Sequence, residues 1–182
     1  VVALSYGRLG GFDEVVYDSL RLAARIMGAE KRAEEVISYL ERSRKDLATR
    51  ASAIPKESRP LVYVGGVGFK GTQGVESSDA EYIPFQWTGA RNAAREVAGK
   101  EHVFVDRERL LALNPDLIFI DAAGLPLVLQ DYGKRPDFYR TLKAFKTDKV
   151  YLLYPYNFYT TNIETALVNA YTVGKTLYPK SF

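Results

Sequence analysis

The sequence predicts an α/β fold: a doubly wound parallel sheet of Rossmann-like form, preceded by a long linking helix. Three observations carry that reading. From residue 61 onward, apolar strand-like runs alternate with helix-like stretches, the order that builds a parallel sheet covered by helices on both faces. Residues 117–120 (LIFI) are apolar throughout, as a strand covered on both sides requires. Upstream, residues 29–53 (AEKRAEEVISYLERSRKDLATRASA) place apolar side chains at Ala33, Val36, Ile37, Leu40, Leu47 and Ala51, with Ile54 just beyond. Those steps mark one face of an α-helix.

Taken in order, residues 1–6 are short, β-branched and apolar, and read as a buried strand. A GRLGG loop leads to a helix over 13–27, which Asp13 can cap and whose apolar face holds Val16, Leu20, Ala23, Ala24 and Met27. Gly28 separates it from the long helix. About 25 residues at 1.5 Å each make a rod of about 37 Å. Its outer face is charged, with Glu41 and Lys45 four residues apart, and Pro55 forbids its continuation. IPKESRP is a polar hinge. A strand over 61–64 runs into GGVGFKGTQG, and a helix is expected over 88–98 (TGARNAAREVA), closed by Gly99. After a strand over 102–105, Asp106 caps the helix RERLLAL, which Asn114 and Pro115 end. Further helices are expected over 137–145 and 163–177. The strands near 61–65, 102–105, 117–121 and 149–153 should form one parallel sheet.

At 182 residues and 47% hydrophobic, the chain suits one domain plus appendages. The net charge of +3 is mild and the cations are interleaved with acids, which argues against nucleic acid as a partner. With no cysteine there are no disulfides, thiolate metal sites or cysteine nucleophile. His102 is the only histidine, which weighs against a histidine zinc site and a Ser-His-Asp triad. No apolar run approaches 18 residues, the length of a spanning helix. The chain opens on VVALSY without an initiator Met, as a processed chain would.

In open parallel sheets, ligands gather beyond the carboxyl ends of the strands. Three loops there stand out: GFKGTQGVESSDAEYIPFQW, DAAGLP and YPYNFYTTN. The first and third carry Lys70, Tyr82, Trp87, Tyr154, Tyr156, Asn157 and Tyr159, an aromatic rim with a cation that suits a bulky, polar, partly anionic ligand. The alternative is that these aromatics pack the loops. Gly66, Gly68 and Gly71 spell GxGxxG, but no helix opens on them, so they read as loop glycines that let backbone approach closely. Glu76, Asp79 and Glu81 could gather round a cation, although such acid runs are usually solvated. Asp116 and Asp121 bracket a strand with no visible base beside either. No catalytic constellation emerges, and no residue is assigned as a metal ligand or as a cofactor site.

VDRERLLALNPDLIFIDAAG resembles the S-x-E-x-L-L-x-x-N-P-D-x-I-I segment of the substrate-binding proteins of ABC importers for ferric siderophores, haem and cobalamin. In that family one long helix joins two lobes. MGAEKRAEEVISYLERSRKDL is similar to the start of the joining helix, GTQGVESSDAEYIPFQWTGARNAA to the first cleft loop, and YNFYTTNIETALVNAYTVGKTLYP to the closing helix. Asp106 departs from the commoner Ser, though both cap helices. The resemblance covers nearly the whole chain but only the second half of such a protein. It implies that 1–12 is the remnant of an N-terminal lobe, 13–55 the linking helices and 56–182 the C-terminal ligand-binding lobe. It implies a periplasmic or extracellular, membrane-associated protein that captures an iron chelate, or a related haem or cobalamin ligand, without chemistry. Glu108 matches the acid that meets an arginine of the membrane permease, although a first-turn Glu also suits the helix dipole. On this reading Lys70, Tyr82, Trp87, Arg91, Tyr156, Asn157 and Tyr159 should converge on one exposed face. Lys70 and Arg91 would supply charge-assisted donors there. The rival readings are a metal-chelatase or nitrogenase-like enzyme domain and a ligand-sensing regulatory domain.

Overall fold

The computed structural model describes residues 2–5, 7, 12, 14–97, 101–158 and 160–182. Helix α1 (Val15–Met27) closes at Gly28, whose φ of 65° is a left-handed conformation open to glycine at little cost. Helix α2 (Glu30–Ser52) is one unbroken run of 23 residues. Its buried positions, Ala33, Ile37, Leu40, Ser43, Leu47 and Ala51, follow steps of three and four. Ile37, Leu40 and Leu47 pack with Tyr17 of α1 and with Leu167 and Ala170 of the last helix. The stripe expected from the sequence is therefore buried, with Ser43 bridging the gap between Leu40 and Leu47.

After a 3-10 turn (Lys56–Ser58) come β1 (Leu61–Gly65), β2 (Ser77–Asp79), α3 (Ile83–Thr88), β3 (Arg91–Asn92), a second 3-10 turn (Ala93–Glu96) and β4 (His102–Phe104). There follow α4 (Arg107–Leu113), β5 (Leu117–Asp121), α5 (Leu125–Lys134), α6 (Pro136–Thr141), α7 (Lys143–Lys146), β6 (Val150–Leu153), β7 (Asn157–Phe158), β8 (Thr160–Thr161) and α8 (Ile163–Leu177). The main sheet is wholly parallel in the order β3-β1-β5-β6. Side chains alternate across it. Val62, Val64, Leu117 and Phe119 pack on α3 and α8 through Ile83, Phe85, Ala166 and Val173. Tyr63, Ile118 and Ile120 pack on the other layer through Leu110, Val128, Tyr139 and Ala144. The chain steps from β1 to β3 on one side and then to β5 on the other, so the switch point lies between the carboxyl ends of β1 and β5.

Several expectations need correction. Residues 2–5 form no strand: Val2 and Leu4 are exposed, and Ser5 is tied to Ser19 of α1 by hydrogen bonds of 2.9 and 2.7 Å. Val1, Tyr6 and the proposed cap Asp13 lie outside the described residues. Strand β4 does not join the parallel sheet; it pairs antiparallel with β2, Ser77 opposite Phe104. The place beside β1 is filled by Arg91 and Asn92. The helix expected over 88–98 is absent from its described residues. Thr88 ends α3, and Gly89 (φ 61°) terminates it. Asn92 then accepts a hydrogen bond from Ala94 N–H, which supports only a 3-10 turn. The helix over 137–145 is split at Leu142, whose backbone is extended. The local signals around 106–114 hold: Asp106 Oδ1 accepts from Arg109 N–H at 2.7 Å, and Asn114 closes α4 with φ 43°.

Candidate functional site

The carboxyl edge is built by three turns that leave β1, β5 and β6. The first two touch backbone to backbone at the switch point. Gly66 has φ 78°, and a Cβ there would sit 3.2 Å from Gly124 Cα. A Cβ on Gly124 would collide with Gly66 and come within 2.7 Å of Gln73 O. The hydrogen bond from Gly66 N to Gly74 O (3.0 Å) clips the base of the 67–73 loop, and Gln73 Nε2 donates to Phe69 O inside it (2.8 Å). The GxGxxG glycines thus serve loop closure, and no helix opens on them.

This clipped loop displays an aromatic platform. Phe69 stacks on His102 with centroids 4.0 Å apart and planes at 9°, and Phe104 meets the same imidazole edge-on at 4.8 Å. Phe69 is 39% and Phe104 57% exposed. Ser77 Oγ donates its one proton to Val67 O (2.5 Å) and lies 2.7 Å from His102 Nε2. The imidazole Nε2 must therefore carry a proton and donate to Ser77. Burial holds the His102 pKa below its ordinary value, which favours the neutral ring. Lys70, at φ 50° on the loop tip, places its Nζ 5.4 Å from the Phe69 centroid.

Asp121 ends β5 beneath this rim and is 3% exposed. Burial pushes its carboxyl up to about 6, and the hydrogen bond from Ala123 N–H (2.9 Å) offsets only part of that. Its backbone carbonyl lies against the Gly66 turn, so the buried acid sits directly below the place where the two turns meet. Asp116, at the other end of β5, is a structural staple: it accepts from Leu61 N–H and pairs with Lys143. Glu76, Asp79 and Glu81 do not surround a common point. Glu76 pairs with Arg107, Glu81 with Arg95, and Asp79 accepts from Glu81 N–H. No group of three or more His, Asp or Glu side chains suited to a metal ion occurs among the described residues.

The seven residues expected on one face are not brought together. Lys70 and Asn157 leave the carboxyl edge as expected, Lys70 exposed and Asn157 half-buried. Tyr82 and Tyr156 lie beneath the edge in the core, 0% and 2% exposed, their rings 5.2 Å apart. Tyr156 Oη accepts from Ile83 N–H at 3.3 Å. Trp87 faces α2, edge-on to Phe12 at 5.7 Å and beneath the Arg44 guanidinium. Arg91 pairs in register with Leu61, at the amino edge. Tyr159 lies outside the described residues. For Tyr82 and Trp87 the cause is shared: α3 opens at Ile83, so its apolar face draws Tyr82 inward and turns Trp87 towards α2. Phe104 carried a readable signal, since Val103 and Val105 are buried while Phe104 alternates outward. Phe69 carried none.

The description of the periplasmic binding protein family matches residues 1–156, and the chain belongs to that family. The iron-uptake system-binding protein of Bacillus subtilis (strain 168) is 29% identical over 145 residues, 74% of this chain and 44% of its own length. Among solved structures, the molybdate periplasmic binding protein MolA of Haemophilus influenzae superposes with a TM-score of 0.72 at 20% identity. That match covers 93% of this chain and 51% of MolA. The triscatecholate siderophore-binding protein FeuA of Bacillus subtilis, complexed with ferri-bacillibactin, superposes with a TM-score of 0.63 at 22% identity. It covers 91% of this chain and 60% of FeuA. The chain therefore spans about half the length of the relatives it matches.

Proposed function

We propose that this chain supplies one wall of the solute cleft of an extracytoplasmic binding protein that captures an iron chelate for an ABC importer. The observation that carries the reading is the solvent-facing platform of Phe69, His102 and Phe104, with Lys70 at its rim, on the carboxyl edge of a lobe of this family. Flat apolar area beside a cation suits a broad chelate with oxygen acceptors and negative charge. The iron-uptake relative favours iron as cargo. Helices α1 and α2 would link this lobe to a second one, consistent with the single unbroken rod of α2. Most of a buried ligand's contacts would then need both walls. Glu108, exposed in the first turn of α4, is the candidate contact for the permease. No helix among the described residues is long and apolar enough to cross a membrane.

The test is to titrate ferric siderophores, haem, cobalamin and molybdate into the full-length protein with both walls of the cleft, following tryptophan fluorescence and heat. Binding of an iron chelate, weakened by Phe69→Ala, is the expected result. Failure of every iron-bearing ligand would overturn the cargo. Binding untouched by Phe69→Ala and Phe104→Ala would overturn the site.

A further inference from the structure

A second binding feature sits away from that edge. Where α2 ends and α3 closes, a pocket of about 350 Å³ is lined by Lys56, Arg59, Arg91 and Arg95, with Gln86 and Asn92 beside them and no acidic side chain in its wall. Its place in the fold follows from β3, because Arg91 lies opposite Leu61, the first residue of β1. It is therefore at the amino end of the strands.

The four cations are held differently. Arg59 is fixed by carbonyls alone: its guanidinium donates to Ala51 O, Ile54 O and Gly89 O at 2.9–3.3 Å. Gly89 is required for this, since a Cβ there would lie 2.5 Å from Arg59 Nη1. Carbonyl partners orient the guanidinium without neutralising it. Neither Arg59 nor Lys56 forms an ion pair among the described residues. Arg95 donates to Ala80 O at 3.0 Å and pairs with Glu81 at 3.1 Å. Among the described residues, Arg91 has only a loose, exposed pair with Glu96 at 3.6 Å. The wall holds four positive charges against two nearby carboxylates, and its central guanidinium is positioned before any ligand arrives.

We propose that this pocket binds a phosphate-type oxyanion, free or carried on a lipid headgroup. The guanidinium fork of Arg91 and the Nη1 of Arg95 can meet the oxygens of such a group, while Arg59, whose bonds to carbonyls leave one N–H, adds a charge already fixed in place. A bare ion would leave much of the volume empty, so the group should be larger than one phosphate. Lys56 and Arg91 are exposed and take part in neither the core nor the chelate platform, so both can be changed without disturbing the fold.

The experiment uses the full chain and its Lys56→Gln/Arg91→Gln double variant. Lys134→Gln/Lys146→Gln, which removes two exposed cations elsewhere, serves as the charge-matched control. Inorganic pyrophosphate is titrated by calorimetry, and sedimentation is measured with phosphatidylglycerol and with phosphatidylcholine vesicles. The expected result is pyrophosphate binding that weakens about tenfold or more in the first variant and stays unchanged in the control, with chelate binding intact in both. Phosphatidylglycerol binding lost in parallel would assign the headgroup as the source; pyrophosphate binding without vesicle binding would assign a free anion. No binding of either probe, or equal weakening in the two variants, would overturn the site.

Discussion

The two edges of the parallel sheet solve opposite electrostatic problems. At the carboxyl edge, turns from β1 and β5 meet through glycine backbone, and a carboxylate beneath them, Asp121, is buried with a raised pKa. At the amino edge, charge is paired or left wet: Asp116 bonds Leu61 N–H and Lys143, while Arg59 is webbed into carbonyls. Burial raises the Asp116 pKa, but the hydrogen bonds from Lys143 and Leu61 outweigh it and hold the carboxyl below its ordinary value. The same side chain at the two ends of β5 is thus shifted in opposite directions. The difference teaches that one end is organised for stability, and the other holds an acid whose charge costs stability.

The largest break in this comparison should come from Gly124→Ala. Its Cβ meets Gly66 backbone, which cannot swing aside, so a loss of about 3 kcal/mol or more is expected in chemical denaturation. Gly133→Ala, in α5 with nothing within 4 Å, should instead gain about 0.5–1 kcal/mol.

Next in size is Asp121→Asn. The native pKa of about 6 lies above the ordinary 3.8, so the folded state resists ionisation. That penalty is absent below the ordinary value, grows as pH rises through the interval, and is complete above about pH 6. Removing the charge should stabilise the protein at pH 7 by about 2–3 kcal/mol, with the gain fading towards pH 4. Asp116→Asn should behave oppositely. Its contribution is present above the ordinary carboxylate pKa and lost as pH falls through the depressed native value, so the variant should lose about 0.5–1 kcal/mol at pH 7 and nothing in strong acid. Parallel melts across pH would show two curves of opposite slope, and matching slopes would break the comparison.

Smaller still, Phe69→Ala should weaken chelate binding about three- to tenfold in calorimetry. Trp87→Ala should leave that affinity alone and lower stability, because Trp87 packs on Phe12 and Arg44. Least of all, Glu108→Arg should change stability by less than about 0.5 kcal/mol and leave chelate affinity unchanged. Uptake in cells should nevertheless fall, and equal loss of binding and uptake would remove the docking role.

The sequence by itself determined what depends on neighbours in the chain. The stripe of α2, the cap at Asp106, the stop at Asn114, the apolar run 117–120 of β5 and the places of β6 and α8 all rest on local backbone preference and side-chain period. Residues 102–104 were equally legible as a strand, but not the partner they took. Pairing with β2 instead of β1 was decided by which backbone groups were free once Arg91 and Asn92 had occupied the sheet. The fates of Tyr82, Tyr156 and Trp87 were decided the same way, because a tyrosine in a loop and one in a core look alike until α3 and α8 close over them. Only the tertiary structure could set Asp121 and Asp116 apart, since the burial of Asp121 and the Leu61 and Lys143 partners of Asp116 come from residues distant in sequence and near in space.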